Sequence, residues 1–202
     1  MSTSPKINVA VVGVGLVGSE FIHQLLSVPA DLSPFQLISL TSSTRTVFNA
    51  ANPIAASTDW KSLLSSSADK PDFPTLTEKL SKLVNANQRV VLVDNTSSDD
   101  VAALYPTWLE KGINVVTPNK KAYSGDLVLY ERILSASKKS GVKFLNESTV
   151  GAGLPVISTL KELVMTGDKV CICKCVVYHW HKADHSLSLL RSSKSKVYFL
   201  ER

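Results

Sequence analysis

The segment VAVVGVGLVG, residues 9–18, constrains this chain more than any other stretch. It places Gly13, Gly15 and Gly18 in the spacing G-x-G-x-x-G. Ile7 to Val12 is a β-branched apolar run that predicts a buried parallel strand. Glu20 to Val28 carries apolar residues at helical spacing and stops before Pro29, which predicts a helix. In such a strand–turn–helix unit the first glycine permits the tight turn, the second lets the backbone approach a pyrophosphate, and the third lets helix and strand pack closely. The N–H groups and dipole at the helix start attract phosphates. A glycine-rich turn can be purely structural, but the strand before it and the helix after it favour a dinucleotide site.

The rest of the chain repeats the alternation. Strands are predicted at Phe35–Leu40, Arg89–Asp94, Ile113–Thr117 and Val142–Glu147. Helices are predicted at Leu76–Val84, Asp99–Lys111, Asp126–Ser140 and Leu154–Thr166, the last three closed by Gly112, Gly141 and Gly167. Thr41 to Ala68 reads as loop with a short helix around Asp59 to Leu64. This order predicts an α/β fold, a Rossmann-type doubly wound parallel sheet.

The end of the second strand bears on the cofactor. NAD-dependent proteins usually carry an acid there for the ribose 2′-OH. The sequence LISLTSSTR has none, but offers the Thr41 hydroxyl and Arg45, which can pair with a 2′-phosphate. The pattern leans towards NADP over NAD, the alternative being that Arg45 is a solvated loop residue. Three further motifs fall at the same carboxyl edge of the predicted sheet. Asp94-Asn95-Thr96-Ser97-Ser98 suits either a ligand contact or a helix N-cap. Thr117-Pro118-Asn119-Lys120-Lys121 offers one lysine to a phosphate or carboxylate. Glu147 to Pro155 combines a carboxylate with a Gly-rich turn, whose oxygens suit a hard cation or a capped domain crossing.

VAVVGVGLVG, VDNTSS, TPNKKA and NESTVGAGLP, in this order and spacing, resemble homoserine dehydrogenase of the monofunctional fungal type over about residues 6–170. The resemblance implies NAD(P)H-dependent reduction of aspartate 4-semialdehyde to homoserine, on the route to threonine and methionine. It implies that Gly13, Gly15, Leu16, Val17 and Gly18 line the pyrophosphate and that Thr96 and Ser97 contact the nicotinamide half. Lys120 would sit at the cofactor–substrate junction. Glu147, with the carbonyls of Val150, Ala152 and Leu154, would match a structural sodium site. The expected organisation is a dinucleotide-binding domain over 1–153, the start of an α+β catalytic and dimerisation domain over 154–170, and a tail over 171–202.

The resemblance stops at Val170. Residues 171–202 hold six Lys/Arg against two Asp/Glu, whereas residues 1–170 hold 16 against 15. The chain's net charge of +5 therefore resides mostly in the tail, and no patterned basic patch argues for nucleic acid. The tail also holds Cys171, Cys173, Cys175, His179, His181 and His185, whose spacing is unusual for structural zinc. Val170-Cys171 can be encoded by GTATGT or GTATGC, which resemble a 5′ splice site, so intron read-through would explain the change. The family's catalytic lysine and substrate-binding acids would lie past this point. The expectation is thus a family homodimer with most of its dimerisation region missing here, and a chain inactive alone. The rival reading is a non-catalytic dinucleotide-binding module, with another amino-acid-linked oxidoreductase a third. With no apolar run of membrane length and no leader pattern at the N-terminus, a cytoplasmic protein is expected.

Overall fold

A computed structural model describes residues 5–167, and the tail motif from Cys171 to His185 lies outside the described residues. The chain divides into two units at Leu154/Pro155. The first contains a six-stranded sheet: β1 (Ile7–Val12), β2 (Phe35–Thr41), β3 (Thr46–Phe48), β4 (Val90–Asp94), β5 (Asn114–Val116) and β6 (Phe144–Leu145). Its helices are α1 (Leu16–Ser27), α2 (Trp60–Ser66), α3 (Phe73–Asn85), α4 (Asp99–Ala103), α5 (Tyr105–Glu110), α6 (Lys121–Ser124) and α7 (Leu127–Ser140). The second unit holds α8 (Val156–Met165).

The strand order is β3-β2-β1-β4-β5-β6. Every neighbouring pair is parallel except β2 and β3. The doubly wound sheet is parallel as expected, with one antiparallel strand added at its edge. There Ser42 folds the chain back: its N–H donates to the Arg45 carbonyl at 2.8 Å and its hydroxyl accepts the Arg45 N–H at 2.9 Å. That tight turn returns Thr46–Phe48 antiparallel to Ser39–Thr41, within a stretch expected to be loop.

The sheet buries both faces, as continuous apolar strands require. Ala10, Val12 and Leu92 pack with Tyr105, Trp108 and Ile133 on one side; Val9, Val11 and Val93 pack with Ile22, Ile54 and Leu64 on the other. The helix expected over Asp99–Lys111 is broken in two. Pro106 has no N–H to return to the preceding turn, so α4 ends at Ala103 and α5 starts anew at Tyr105. The Trp108 indole N–H donates to Thr77 Oγ1 at 2.8 Å, which satisfies the one polar atom of a fully buried ring. Helix α3 starts before its apolar pattern because Asp72 caps it, its side chain accepting the Thr75 amide; Asp59 likewise caps α2 by accepting the Ser62 amide.

Topology fixes where a ligand can sit. From β1 the chain winds outward to β2 and β3, then crosses back to β4 on the other side. The crevice beyond the carboxyl ends of β1 and β4 is the switch point of the sheet, the usual ligand position in open α/β sheets. The glycine turn leaves β1 there and Asn95-Thr96 leaves β4 there.

Candidate cofactor-binding site

Each glycine of the turn has a different reason. Gly13 has φ +86°, and a Cβ there would stand 2.7 Å from Thr96 Cγ2 and 2.9 Å from the Asn95 carbonyl carbon. Conformation and space both exclude a side chain. A Cβ on Gly18 would fall 1.9 Å from the Gly13 carbonyl oxygen, so this glycine is what lets α1 pack against the turn. Gly15 is unlike the other two. A Cβ there would meet nothing within 4 Å, and its φ is −68°. No contact within the described chain requires glycine at this position.

Gly15 is also the N-cap of α1 and has no side chain to satisfy the first-turn amides. Those amides face the switch point together with Leu16 and Val17, which are 94% and 61% exposed. Helix α1 starts at Leu16 rather than Glu20 as expected, because the glycine turn itself forms the helix entrance. Beside Gly18, the Asn95 side-chain NH₂ is buried with no hydrogen-bond partner among the described residues. A glycine with open space at its α-carbon, uncapped helix amides and an orphaned amide donor fit an anionic dinucleotide.

To one side of the turn, a cleft of about 360 Å³ is lined by residues that include Val14, Ser19, Ser42, Arg45, Trp60 and Lys61. Arg45 donates to the Ser67 carbonyl, which holds its guanidinium at this rim. Lys61, 5.6 Å from the Trp60 ring centroid, adds a second cation that the sequence reading missed. Thr41 departs from expectation. It is 2% exposed, its hydroxyl pairs with that of Thr46 at 2.9 Å, and its carbonyl accepts the Gly13 N–H at 2.8 Å. It anchors the glycine turn instead of offering a hydroxyl to the cleft.

On the other side, the ends of β4 and β5 are joined by a buried polar network. Asp94 is fully buried. Its Oδ1 accepts the Thr96 N–H at 2.7 Å; its Oδ2 accepts the Tyr105 hydroxyl and the Asn119 amide, the latter at 3.1 Å. Thr117 donates to the Asp94 carbonyl at 2.9 Å and accepts the Asn119 N–H at 2.8 Å. Burial, reinforced by the Asp94 charge, pushes the Tyr105 phenol well above its ordinary pKa, so it stays a donor. Ser98 caps α4 through the Val101 amide at 3.3 Å, while Ser97 is exposed. The two lysines separate cleanly. Lys121 pairs with Asp99 at 3.0 Å, and exposed Lys120, the N-cap of α6, has its ammonium unpaired among the described residues.

The family model described as homoserine dehydrogenase, NAD binding domain, matches residues 13–147. This chain belongs to the homoserine dehydrogenase family. It is 40% identical over 171 residues to homoserine dehydrogenase of Saccharomyces cerevisiae, covering 84% of this chain and 46% of that protein. The corresponding enzyme of Emericella nidulans is 43% identical over 171 residues, covering 83% of this chain and 46% of its own length. The chain thus spans about half the length of these curated relatives. Among solved structures, a Candida auris protein of unknown function is similar at TM-score 0.72 and 38% identity, covering 83% of this chain and 46% of that one. A hyperthermophilic archaeal homoserine dehydrogenase in complex with NADPH is similar at TM-score 0.58 and 27% identity, covering 80% of this chain and 50% of that one.

The homoserine dehydrogenase motif after β6 forms a short 3₁₀ turn over Glu147–Thr149, followed by left-handed backbone at Gly151 (φ +74°) and Ala152 (φ +52°). The Leu154 N–H donates to the Gly151 carbonyl at 3.0 Å. Left-handed backbone at an alanine is uncommon, and it turns the chain back on itself between Val150 and Leu154. Among the described residues no helix is long and apolar enough to cross a membrane.

Proposed function

We propose that this chain is the cofactor-holding half of a homoserine dehydrogenase that reduces aspartate 4-semialdehyde to homoserine with NADPH. Gly13, Gly15 and Gly18, with the amides of Leu16 and Val17, would cradle the pyrophosphate. Arg45 and Lys61 at the cleft rim suit a 2′-phosphate, since no acid stands at the end of β2 and both cations line the adjoining cleft. Thr96, Ser97 and Lys120 would face the nicotinamide half and the substrate. When bound, NADPH supplies the hydride for the aldehyde carbon. The chain's own residues orient that half of the cofactor and place one ammonium beside the reacting end. The Glu147 carboxylate with the carbonyls of Val150, Ala152 and Leu154 would supply an all-oxygen donor set of the kind that suits sodium. Within the whole enzyme, a homodimer in the cytoplasm is the corresponding assembly.

The observation that carries this reading is Gly15. A Cβ there would meet nothing within 4 Å, yet the residue sits in the spacing that a pyrophosphate demands. Titration of the chain with NADPH, followed by the nucleotide's own fluorescence, tests it. Saturable binding that salt weakens is expected; absence of binding at millimolar NADPH refutes the assignment.

A further inference from the structure

The sheet order distributes a dinucleotide over the crevice. The end of β2 takes the adenosine ribose, the turn after β1 takes the pyrophosphate, and the ends of β4 and β5 take the second nucleotide. The buried network lies under those last two ends. We propose that Asp94, Tyr105, Thr117 and Asn119 form a positioning device for the nicotinamide half, with Tyr105 as the positioning residue that acts through Asp94. This inference rests on the cofactor reading above.

The geometry joins two loops that sequence separates. The Asn119 side chain donates both to Asp94 Oδ2 at 3.1 Å and to the Ser98 carbonyl at 3.0 Å, and its Oδ1 accepts the Lys121 N–H at 3.0 Å. The Thr96 amide is fixed by Asp94 Oδ1 at 2.7 Å. The turn carrying Thr96 and Ser97 and the turn carrying Lys120 are therefore held in one relation. Thr96 also touches the glycine turn, so its placement is registered against the pyrophosphate. All four side chains are at most 2% exposed. The donors to Asp94 are uncharged: a hydroxyl, a side-chain amide and a main-chain N–H. An apolar filling would pack the sheet without this cost, whereas a fully satisfied polar network specifies one arrangement.

The Tyr105→Phe variant removes one donor to Asp94 and changes nothing at the surface. The full 202-residue chain is titrated with NADPH and with 2′-phospho-ADP-ribose, which lacks the nicotinamide. Tyr105→Phe is expected to weaken NADPH binding about tenfold and leave 2′-phospho-ADP-ribose within about twofold of the parent. The fluorescence enhancement of bound NADPH should fall as well. Thr117→Val, which removes the acceptor for the Asn119 N–H, is expected to show the same split and carries the test if Tyr105→Phe does not melt cooperatively. Equal weakening of both ligands, or no change in either, overturns the inference and leaves the cofactor site standing. Failure of the parent chain to bind either ligand overturns the cofactor reading, and the inference with it.

Discussion

The two glycines Gly15 and Gly18 should separate binding from folding. At Gly15 an alanine Cβ meets nothing within 4 Å, and φ is −68°, a backbone alanine adopts without strain. Two effects on folding oppose each other. Restricting the unfolded chain stabilises by about 0.4–1 kcal/mol. Alanine is a poorer N-cap than glycine, which costs roughly 0.5 kcal/mol. The net change in stability for Gly15→Ala is then within about 0.5 kcal/mol of zero. At Gly18 the same methyl lands 1.9 Å from the Gly13 carbonyl oxygen. Ordinary contact needs roughly 1.5 Å more, and α1 must move away from the turn. Overpacking of this kind costs about 1–3 kcal/mol. Urea unfolding of both variants, paired with NADPH titration, reads the two quantities separately. Gly15→Ala should melt like the parent yet bind NADPH at least about tenfold more weakly, a loss of about 1.4 kcal/mol. Gly18→Ala should lose stability and binding together. Unchanged NADPH affinity in Gly15→Ala would show that nothing approaches this α-carbon, and the reasoning behind the site would fail.

Other consequences follow from single residues. Arg45→Ala should weaken NADPH about tenfold and leave NADH nearly unchanged, measured by competitive titration; equal losses for both would remove Arg45 from 2′-phosphate recognition. The Thr75 hydroxyl and then its amide hold the Asp72 carboxyl below its ordinary value of 3.8. A depressed folded pKa means the cap is fully present above 3.8 and is lost as pH falls through the lower folded value. The protection factor of the Thr75 amide, its exchange rate relative to the intrinsic rate at the same pH, should therefore hold at pH 4 and fall only below 3.8. A protection factor that already falls at or above that value would contradict the cap, and Asp72→Asn should abolish the pH dependence of the protection factor.

The parts legible in the sequence are those whose cause is local. The glycine spacing, the apolar runs of β1 and β4, and the Gly141 stop of α7 each depend on residues a few positions apart. The start of α1 was misplaced because a glycine N-cap leaves no polar side-chain signal. The edge strand β3 escaped because three residues carry too little pattern, and the Ser42–Arg45 turn decides their direction. The break at Leu104 was legible in principle, since Pro106 causes it. Which lysine stays unpaired was not legible: Asp99 selects Lys121 across a distance of 22 residues in sequence.

The glycine turn shows the division most clearly. Sequence by itself determined that the chain turns at Gly13 and enters a helix, because backbone freedom and spacing are properties of the residues. Only the tertiary structure decided why each glycine is there. Gly18 answers to the Gly13 carbonyl, Gly13 to Thr96 across the sheet, and Gly15 to nothing in the described chain. The same holds for Asp94, Tyr105 and Asn119, whose partnership no spacing in the sequence announces. Burial at the ends of adjacent strands makes them one network, since a buried carboxylate must find its donors wherever the fold brings them.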